Sequence, residues 1–182
     1  FYFGKEMELK NPKGFGVDTI FGRHGNFLTN KEPETLFWEK YYELYLRKES
    51  PRLFASEIIQ KLHLEGYQIY LFTTRTLHCF QISKERIKQL TQLWLAKHGI
   101  YFDFLVFSDI INVELIKKYE IDLLIDHNPK SIFKIAMQIP VVCFQAKYNE
   151  SCKAINVYRV YSWYDFYEKL NLILELEMTG VS

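Results

Sequence analysis

Two places in the chain end an apolar run on side chains that could bind a phosphate group and a metal ion. A short apolar run leads directly into Thr73, Thr74 and Arg75, and a second one leads into Asp126. The two hydroxyls and the permanently charged guanidinium fork suit phosphoryl oxygens. A carboxylate suits Mg²⁺, which takes one or two carboxylates together with water and phosphate oxygens. The sequence therefore predicts a phosphate site at Thr73, Thr74 and Arg75 and a Mg²⁺ ligand at Asp126.

Each of these residues also has a purely structural interpretation, which the sequence leaves open. The threonines could serve only a turn, with Arg75 as a solvated charge, and Asp126 could cap a helix, as Asp often does in this position. His127 could be a ligand or a general base, although a lone histidine is more often an ordinary polar residue. Ser108 and Asp109 could line the same crevice, and Trp38, Tyr41 and Tyr42 could stack on a nucleobase, although turn positions and core packing are the commoner roles of such residues.

The elements that would position these residues alternate between short apolar segments and amphipathic ones. Nearly all-apolar strands separated by helices are typical of a parallel sheet covered on both faces. We therefore predict a three-layer α/β/α, Rossmann-like fold. The carboxyl ends of its strands would meet at one edge and bring Thr73 and Asp126 together. The predicted strands are 68–72, 102–107, 123–125, 140–144 and 157–160.

Capping residues predict where the helices begin and end. Small polar residues precede a helix, proline is favoured at its first position, and glycine is favoured just past its end. Segment 1–50 lacks the alternation of the rest and is rich in glycine and aromatic residues. We expect it to form a small cap-like element of helix and loop beside an α/β core at 51–182. The predicted helix starts are Ser50–Pro51, Ser83, Val113, Asn128–Pro129 and Ser162 with Asp165, and Gly66 and Gly99 are predicted ends.

The composition argues against several classes of function. A total of 23 Lys and Arg against 22 Asp and Glu gives a net charge of +1, which offers no basis for a nucleic acid or an anionic membrane as a partner. No apolar run approaches the roughly 20 residues needed to span a bilayer. The cysteines Cys79, Cys143 and Cys152 are odd in number and lack a Cys-x-x-Cys pair, so we expect free thiols in a reducing cytoplasm.

The order of these motifs resembles that of the haloacid-dehalogenase-like (HAD-like) phosphatases. The pattern strand–Thr–x–Arg, helix, strand, short helix and strand–Asp–x–Asn–Pro carries the resemblance, which extends over nearly the whole chain, and the stretches 37–41, 65–70 and 139–144 fit it as well. Within that superfamily the chain is most similar to bacterial proteins related to cytosolic 5′(3′)-deoxyribonucleotidases. The resemblance implies a Mg²⁺-dependent phosphatase that acts on a nucleoside monophosphate or a similar small phosphate ester.

Such phosphatases work through four motifs, and the resemblance places some of them on this chain. The family's Asp-x-Asp-x-Thr segment supplies a nucleophile and an acid–base group. This chain has no such segment, because Asp18 follows a glycine-rich loop and not an apolar strand. The hydroxyl motif falls on Thr73, and the first acidic residue of the metal motif falls on Asp126. The family's lysine position falls near Asn112, and His127 stands where a second Asp often is.

These departures lead to two hypotheses of different classes. In the first, the chain belongs to a phosphatase whose nucleophile lies upstream of Phe1. Lys117 or Lys118, further along the helix, would then either replace the missing lysine or be a solvated charge. In the second, the chain is a catalytically silent HAD-like module that binds a phosphorylated ligand or a partner protein, either by itself or as part of a larger polypeptide. Under both, residues 1–182 alone are expected to be inactive. A core without its first strand would also expose strand edges, which favour association.

Overall fold

The computed structural model describes residues 43–44, 48–74 and 82–179, and helices alternate with strands along them. Each strand predicted from the sequence is present, with its bounds shifted by at most two residues. In chain order the elements are α1 (Ala55–Leu64), β1 (Tyr70–Thr73), α2 (Lys84–Lys97), β2 (Phe104–Phe107), α3 (Val113–Lys118), β3 (Leu124–Asp126), α4 (Pro129–Ile135), β4 (Val141–Phe144), a 3₁₀ turn (Lys147–Asn149), β5 (Val157–Val160) and α5 (Trp163–Thr179).

The strands form two parallel sheets, which confirms the predicted open α/β class. β1 pairs with β2, and Thr73 lies opposite Phe107 at their carboxyl ends. A second sheet has the order β3–β4–β5, and Asp126 lies opposite Cys143. The described elements fall into two compact units. The unit with fewer described elements, called the smaller unit, holds β1, α2 and β2. The one with more, called the larger unit, holds α1, α3, β3, α4, β4, β5 and α5.

The larger unit is itself a three-layer structure, because the side chains of β4 alternate between two cores. Val142 and Phe144 pack with apolar residues of α1 and α5 on one face of the sheet. Val141 and Cys143 pack with apolar residues of α3 and α4 on the other face. Successive side chains of a strand point to opposite faces. A strand that is buried at every position, as β4 is, must therefore have a helical layer on each side.

Several predicted helix starts are confirmed by their capping contacts. The Ser83 hydroxyl accepts a hydrogen bond from the backbone N–H of Arg86 at 3.2 Å, directly before α2. The Ser162 hydroxyl accepts from the N–H of Asp165 at 3.0 Å at the start of α5. Pro129 is the first residue of α4, where its missing N–H costs nothing. The predicted ends are also confirmed, since Gly66 and Gly99 follow α1 and α2 with φ of +94° and +61°.

The predicted start of α1 at Ser50–Pro51 is wrong. The helix begins at Ala55, and the residue before it, Phe54, has a left-handed backbone with φ of 66° and no side-chain cap. The Phe54 ring packs on the Tyr164 ring of α5 with 4.8 Å between the centroids. This tertiary contact lies far along the chain, so local capping signals could not reveal it.

Two further predictions concern membrane-spanning helices and the cap-like segment. No helix among the described residues is both long enough and apolar enough to cross a membrane. The cap-like segment 1–50 lies almost wholly outside the described residues, so the boundary at residues 50–51 stays a prediction.

Candidate functional site

In the smaller unit, two hydroxyl residues come together where β1 and β2 end. Thr73 is the last residue of β1, and its carbonyl accepts a hydrogen bond from the backbone N–H of Ser108, just past β2, at 3.0 Å. Thr73 and Thr74 are half-buried. Ser108 and Asp109 therefore follow β2 at the same edge as Thr73, as the sequence suggested, while Arg75 lies outside the described residues.

Asp126, in the larger unit, is tied into the turn that opens α4. Only 10 % of its side chain is exposed. Oδ1 accepts hydrogen bonds from the backbone N–H groups of His127 at 2.6 Å and Asn128 at 3.1 Å. Oδ2 accepts a hydrogen bond from the hydroxyl of Ser131, in the first turn of α4. The carboxylate therefore stabilises the start of the helix, which is the structural role that the sequence had left open.

The capping contacts do not use every lone pair of the Asp126 carboxylate. An ionised carboxylate has about four lone-pair positions. Two donors of the loop and one of α4 contact it, so Oδ2 retains one. A single carboxylate completed by water and phosphate oxygens fits the usual habit of Mg²⁺. Within the described ranges, no group of three or more His, Cys, Asp or Glu side chains could hold a metal ion. A Mg²⁺ ion at Asp126 would therefore be held by a single carboxylate and not by a cage of described protein side chains.

His127 differs from Asp126 in both exposure and chemistry. Its side chain is 66 % exposed, and its Nδ1 lies 3.9 Å from Oδ1 of Asp126. The imidazole ring stands edge-on to Tyr148, with 6.1 Å between the centroids. Imidazole suits transition metals better than the hard Mg²⁺ ion. A histidine at this position is therefore a poorer ligand for Mg²⁺ than the carboxylate that the family resemblance implies there.

Asn112, where the resemblance places a lysine, caps α3. Its Oδ1 accepts a hydrogen bond from the backbone N–H of Leu115 at 2.9 Å. Lys117 and Lys118, further along the same helix, are exposed. A lysine at position 112 could not accept that hydrogen bond, since an ammonium group is only a donor. The helix start therefore explains the asparagine without any catalytic role.

The described cysteines have the character of core residues. Cys143 and Cys152 are free and buried, as the sequence predicted for the thiols, while Cys79 lies outside the described residues. Burial raises the pKa of the Cys143 thiol, the Arg159 guanidinium opposes this shift, and the negative charge of Asp126 adds to it. Because the thiolate is the reactive form, Cys143 is poorly suited to act as a nucleophile.

The structure leaves the shared site itself a prediction. Thr73 and Asp126 each end a parallel strand, but they belong to different compact units. Asp18, Trp38, Tyr41 and Tyr42 lie outside the described residues.

Sequence reasoning missed a polar cluster of Asn149 and Arg159 close to Asp126. Arg159 is a charged residue, yet it lies within the sheet, on β5 opposite Cys143. A charged residue inside an otherwise apolar strand was the one signal in the sequence that could have indicated this cluster.

Comparison with known proteins adds one functional indication. No family model matches the chain. Over 139 residues the chain is 27 % identical to a Bacillus subtilis (strain 168) protein described as "Putative nucleotidase YqfW", and the match covers 74 % of this chain and 67 % of that protein. The likeness supports a nucleotidase-like relationship, while membership of the HAD-like superfamily stays a prediction.

Proposed function

We propose that the protein containing this chain is a Mg²⁺-dependent phosphatase of the nucleotidase type, which hydrolyses a nucleoside monophosphate or a similar small phosphate ester. The observation that carries the proposal is the Asp126 carboxylate, which ends a parallel strand and keeps one lone pair on Oδ2 beyond its capping contacts. The likeness to a protein described as a nucleotidase supports the substrate class. The free thiols Cys143 and Cys152 suit a reducing compartment, and a cytoplasmic location is part of the proposal.

Each residue of the proposed site has a defined task. The Thr73 hydroxyl binds a phosphoryl oxygen, assisted by Thr74, and Arg75 adds a charged donor fork. Asp126 would hold Mg²⁺, which when bound neutralises phosphoryl oxygens and orients them for in-line attack. The nucleophile is a carboxylate upstream of Phe1, because the chain lacks the family's Asp-x-Asp-x-Thr segment.

The first test is to read the residues encoded before Phe1 and to assay the full-length protein. We expect an Asp-x-Asp-x-Thr segment after an apolar run, and phosphate release from nucleoside monophosphates that requires Mg²⁺ and stops when EDTA is added. A full-length protein that carries no such segment and releases no phosphate from any nucleoside monophosphate would contradict the proposal.

Thr73 allows a sharper test of the phosphate site. Thr73→Val keeps the shape and removes the hydroxyl, so kcat should fall by about 10²–10³-fold, as for the loss of one donor to developing phosphoryl charge. Thr73→Ser keeps the hydroxyl and should retain most of the activity. Equal activity in the two variants would show that the hydroxyl does not contact the phosphoryl group.

A second candidate function is favoured by Asn112 and His127. The first caps a helix near the position where the resemblance implies a lysine, and the second stands where the resemblance implies a carboxylate. In this alternative the protein is a silent HAD-like module that binds a phosphorylated ligand or a partner protein. Saturable binding of a nucleoside monophosphate by the full-length protein, without any turnover, would favour this alternative over the enzyme.

A further inference from the structure

A fully buried asparagine joins the loop after β3 to the end of β4. Asn149 has no exposed surface and lies at the end of the 3₁₀ turn that follows β4. Its Nδ2 donates hydrogen bonds to the carbonyl oxygens of Phe144 at 3.0 Å and His127 at 3.3 Å. Phe144 ends β4, and His127 directly follows Asp126. A single amide group therefore holds the Asp126 loop against the neighbouring strand.

The acceptor side of the same amide is also fully used. Oδ1 of Asn149 accepts from the backbone N–H of Ala146 at 3.0 Å and from Nη1 of Arg159 at 3.2 Å. A primary amide offers two N–H donors and two oxygen lone pairs, so all four positions are occupied. The reversed orientation of the amide would set N–H groups against two donors and oxygen against two carbonyls. The surroundings therefore allow one orientation of the side chain.

Arg159 holds Asn149 in place through several hydrogen bonds. Its Nη1 also donates to the side-chain oxygen of Gln145, and its Nη2 donates to the carbonyl of Cys152 at 2.8 Å and to the carbonyl of Asn149. The planar guanidinium fork can satisfy these acceptors together, which an ammonium group on a flexible stem cannot. Asn149 is thus fixed through its backbone as well as its side chain.

The peptide group between His127 and Asn128 connects Asn149 to Asp126. Its carbonyl oxygen accepts from Asn149, and its N–H donates to Oδ1 of Asp126 at 3.1 Å. Because the peptide unit is planar, fixing the direction of its C=O also fixes the direction of its N–H. The amide of Asn149 therefore acts on the Asp126 carboxylate through one rigid group.

We propose that Asn149, held in place by Arg159, is a positioning residue for the Asp126 carboxylate. By holding the His127 carbonyl, it keeps the N–H of Asn128 on Oδ1 and restrains the loop that also carries the N–H of His127, and so sets the direction in which Oδ2 can bind a cation. The inference deepens the proposed function, because a role in metal binding requires that Asp126 be the Mg²⁺ ligand. The restraint on the loop itself does not depend on that role.

The first experiment measures amide hydrogen exchange in the full-length protein. Asn149→Ser removes both hydrogen bonds of Nδ2 without adding charge. We expect the amides of His127 and Asn128 to exchange at least about tenfold faster than in the wild type, relative to amides of α3. Arg159→Lys should have the same effect to a smaller extent, and it serves as the independent variant if Asn149→Ser does not fold.

The matched control is Thr91→Val. Thr91 is also buried, and its hydroxyl donates to the carbonyl of Ile87 at 2.8 Å within α2, in the other compact unit. This variant also loses one buried polar contact, but exchange at His127 and Asn128 should stay at the wild-type rate. The inference is overturned if these two amides exchange at the wild-type rate in folded Asn149→Ser or Arg159→Lys. It is also overturned if their exchange accelerates no more than that of the α3 amides.

The second experiment titrates Mg²⁺ into the same variants and follows binding calorimetrically. Residues that orient a metal ligand typically change affinity by about 10–100-fold, so the dissociation constant for Mg²⁺ should rise by that factor in Arg159→Lys and stay unchanged in Thr91→Val. If the wild type binds no Mg²⁺, the proposed function fails, and hydrogen exchange alone decides whether Asn149 restrains the loop. If the wild type binds Mg²⁺ and Arg159→Lys binds it equally well, the positioning role is overturned while the proposed function stands.

Discussion

Asp126 combines two roles in the proposed site, and they place different demands on its carboxylate. Capping α4 requires oxygens that accept from His127, Asn128 and Ser131. Binding Mg²⁺ requires negative charge on Oδ2 in addition. An amide oxygen can meet the first demand in part but lacks the charge for the second, so one substitution separates the two roles.

Asp126→Asn in the full-length protein is therefore expected to weaken Mg²⁺ binding more than folding. The side-chain oxygen can still accept from both backbone N–H groups, whereas the charge that would attract Mg²⁺ is lost. We expect the Mg²⁺ concentration for half-maximal activity to rise by at least about tenfold. The control is Asp122→Asn, since Asp122 is an exposed carboxylate just before β3. An unchanged Mg²⁺ response in Asp126→Asn would show that Asp126 is only a turn residue.

At the scale of single elements, the start of α5 should make stability depend on pH. The side chain of Lys169 donates to Asp165 at 2.8 Å, and the backbone N–H of Tyr161 also donates to it at 2.8 Å. The hydrogen bond from Lys169, and to a lesser extent that from Tyr161, lowers the pKa of Asp165. Its contribution to folding is therefore fully present above the ordinary aspartate pKa and is lost as the pH falls through the lower pKa of the folded state.

Asp165→Asn tests this contribution. Because solvent screens the partly exposed pair, the variant should lower the free energy of unfolding at neutral pH by only about 0.5–1 kcal/mol. The difference from the wild type should disappear well below pH 3.9, the approximate ordinary value for Asp. Urea denaturation at both pH values measures it, with Glu168→Gln as the control on an exposed residue of the same helix. A difference that persists at low pH would mean that the carboxylate charge is not responsible.

The end of α2 gives a second prediction at this scale. Gly99 has φ of +61°, and a Cβ atom added there would meet no other atom within 4 Å. Gly99→Ala should therefore cost about 1–2 kcal/mol of unfolding free energy from backbone strain alone. Gly99→Asn should cost less, because asparagine adopts the left-handed conformation more readily. Thermal or urea unfolding measures both variants, and equal losses would argue against backbone strain as the cause.

The elements were predictable from sequence where local chemistry determines them. Ser83 and Ser162 cap helices through residues three positions away, and β4 is apolar throughout, so the pattern alone located them. The start of α1 was not predictable, because Phe54 takes its conformation beside Tyr164. For the site, sequence located Thr73 and Asp126 at strand ends. It could not show that Asn149 contacts His127, since 22 residues separate them and the contact forms only when β3 and β4 pair.

At the scale of the whole molecule, residues 1–182 alone should show no enzymatic turnover. Covalent phosphoryl transfer needs a positioned nucleophile, and the sequence has no Asp-x-Asp-x-Thr segment after an apolar run. The measurement is Mg²⁺-dependent phosphate release from a panel of nucleoside monophosphates, with the full-length protein as the positive control. Turnover of about 1 s⁻¹ or more by residues 1–182 would require a nucleophile within the chain, and Asp18 would be the first residue to replace.

The larger unit is built from two separate stretches of chain, and this has a consequence for protein synthesis. α1 packs against α5, and the hydroxyl of Tyr164 donates to Glu57 across a separation of 107 residues. At about 5–20 residues per second, a ribosome needs roughly 5–20 s to make the residues between these partners. During that interval the apolar positions Ile58 and Leu62 of α1 lack the helix that later covers them. The nascent chain must therefore keep α1 from other apolar surfaces until α5 emerges.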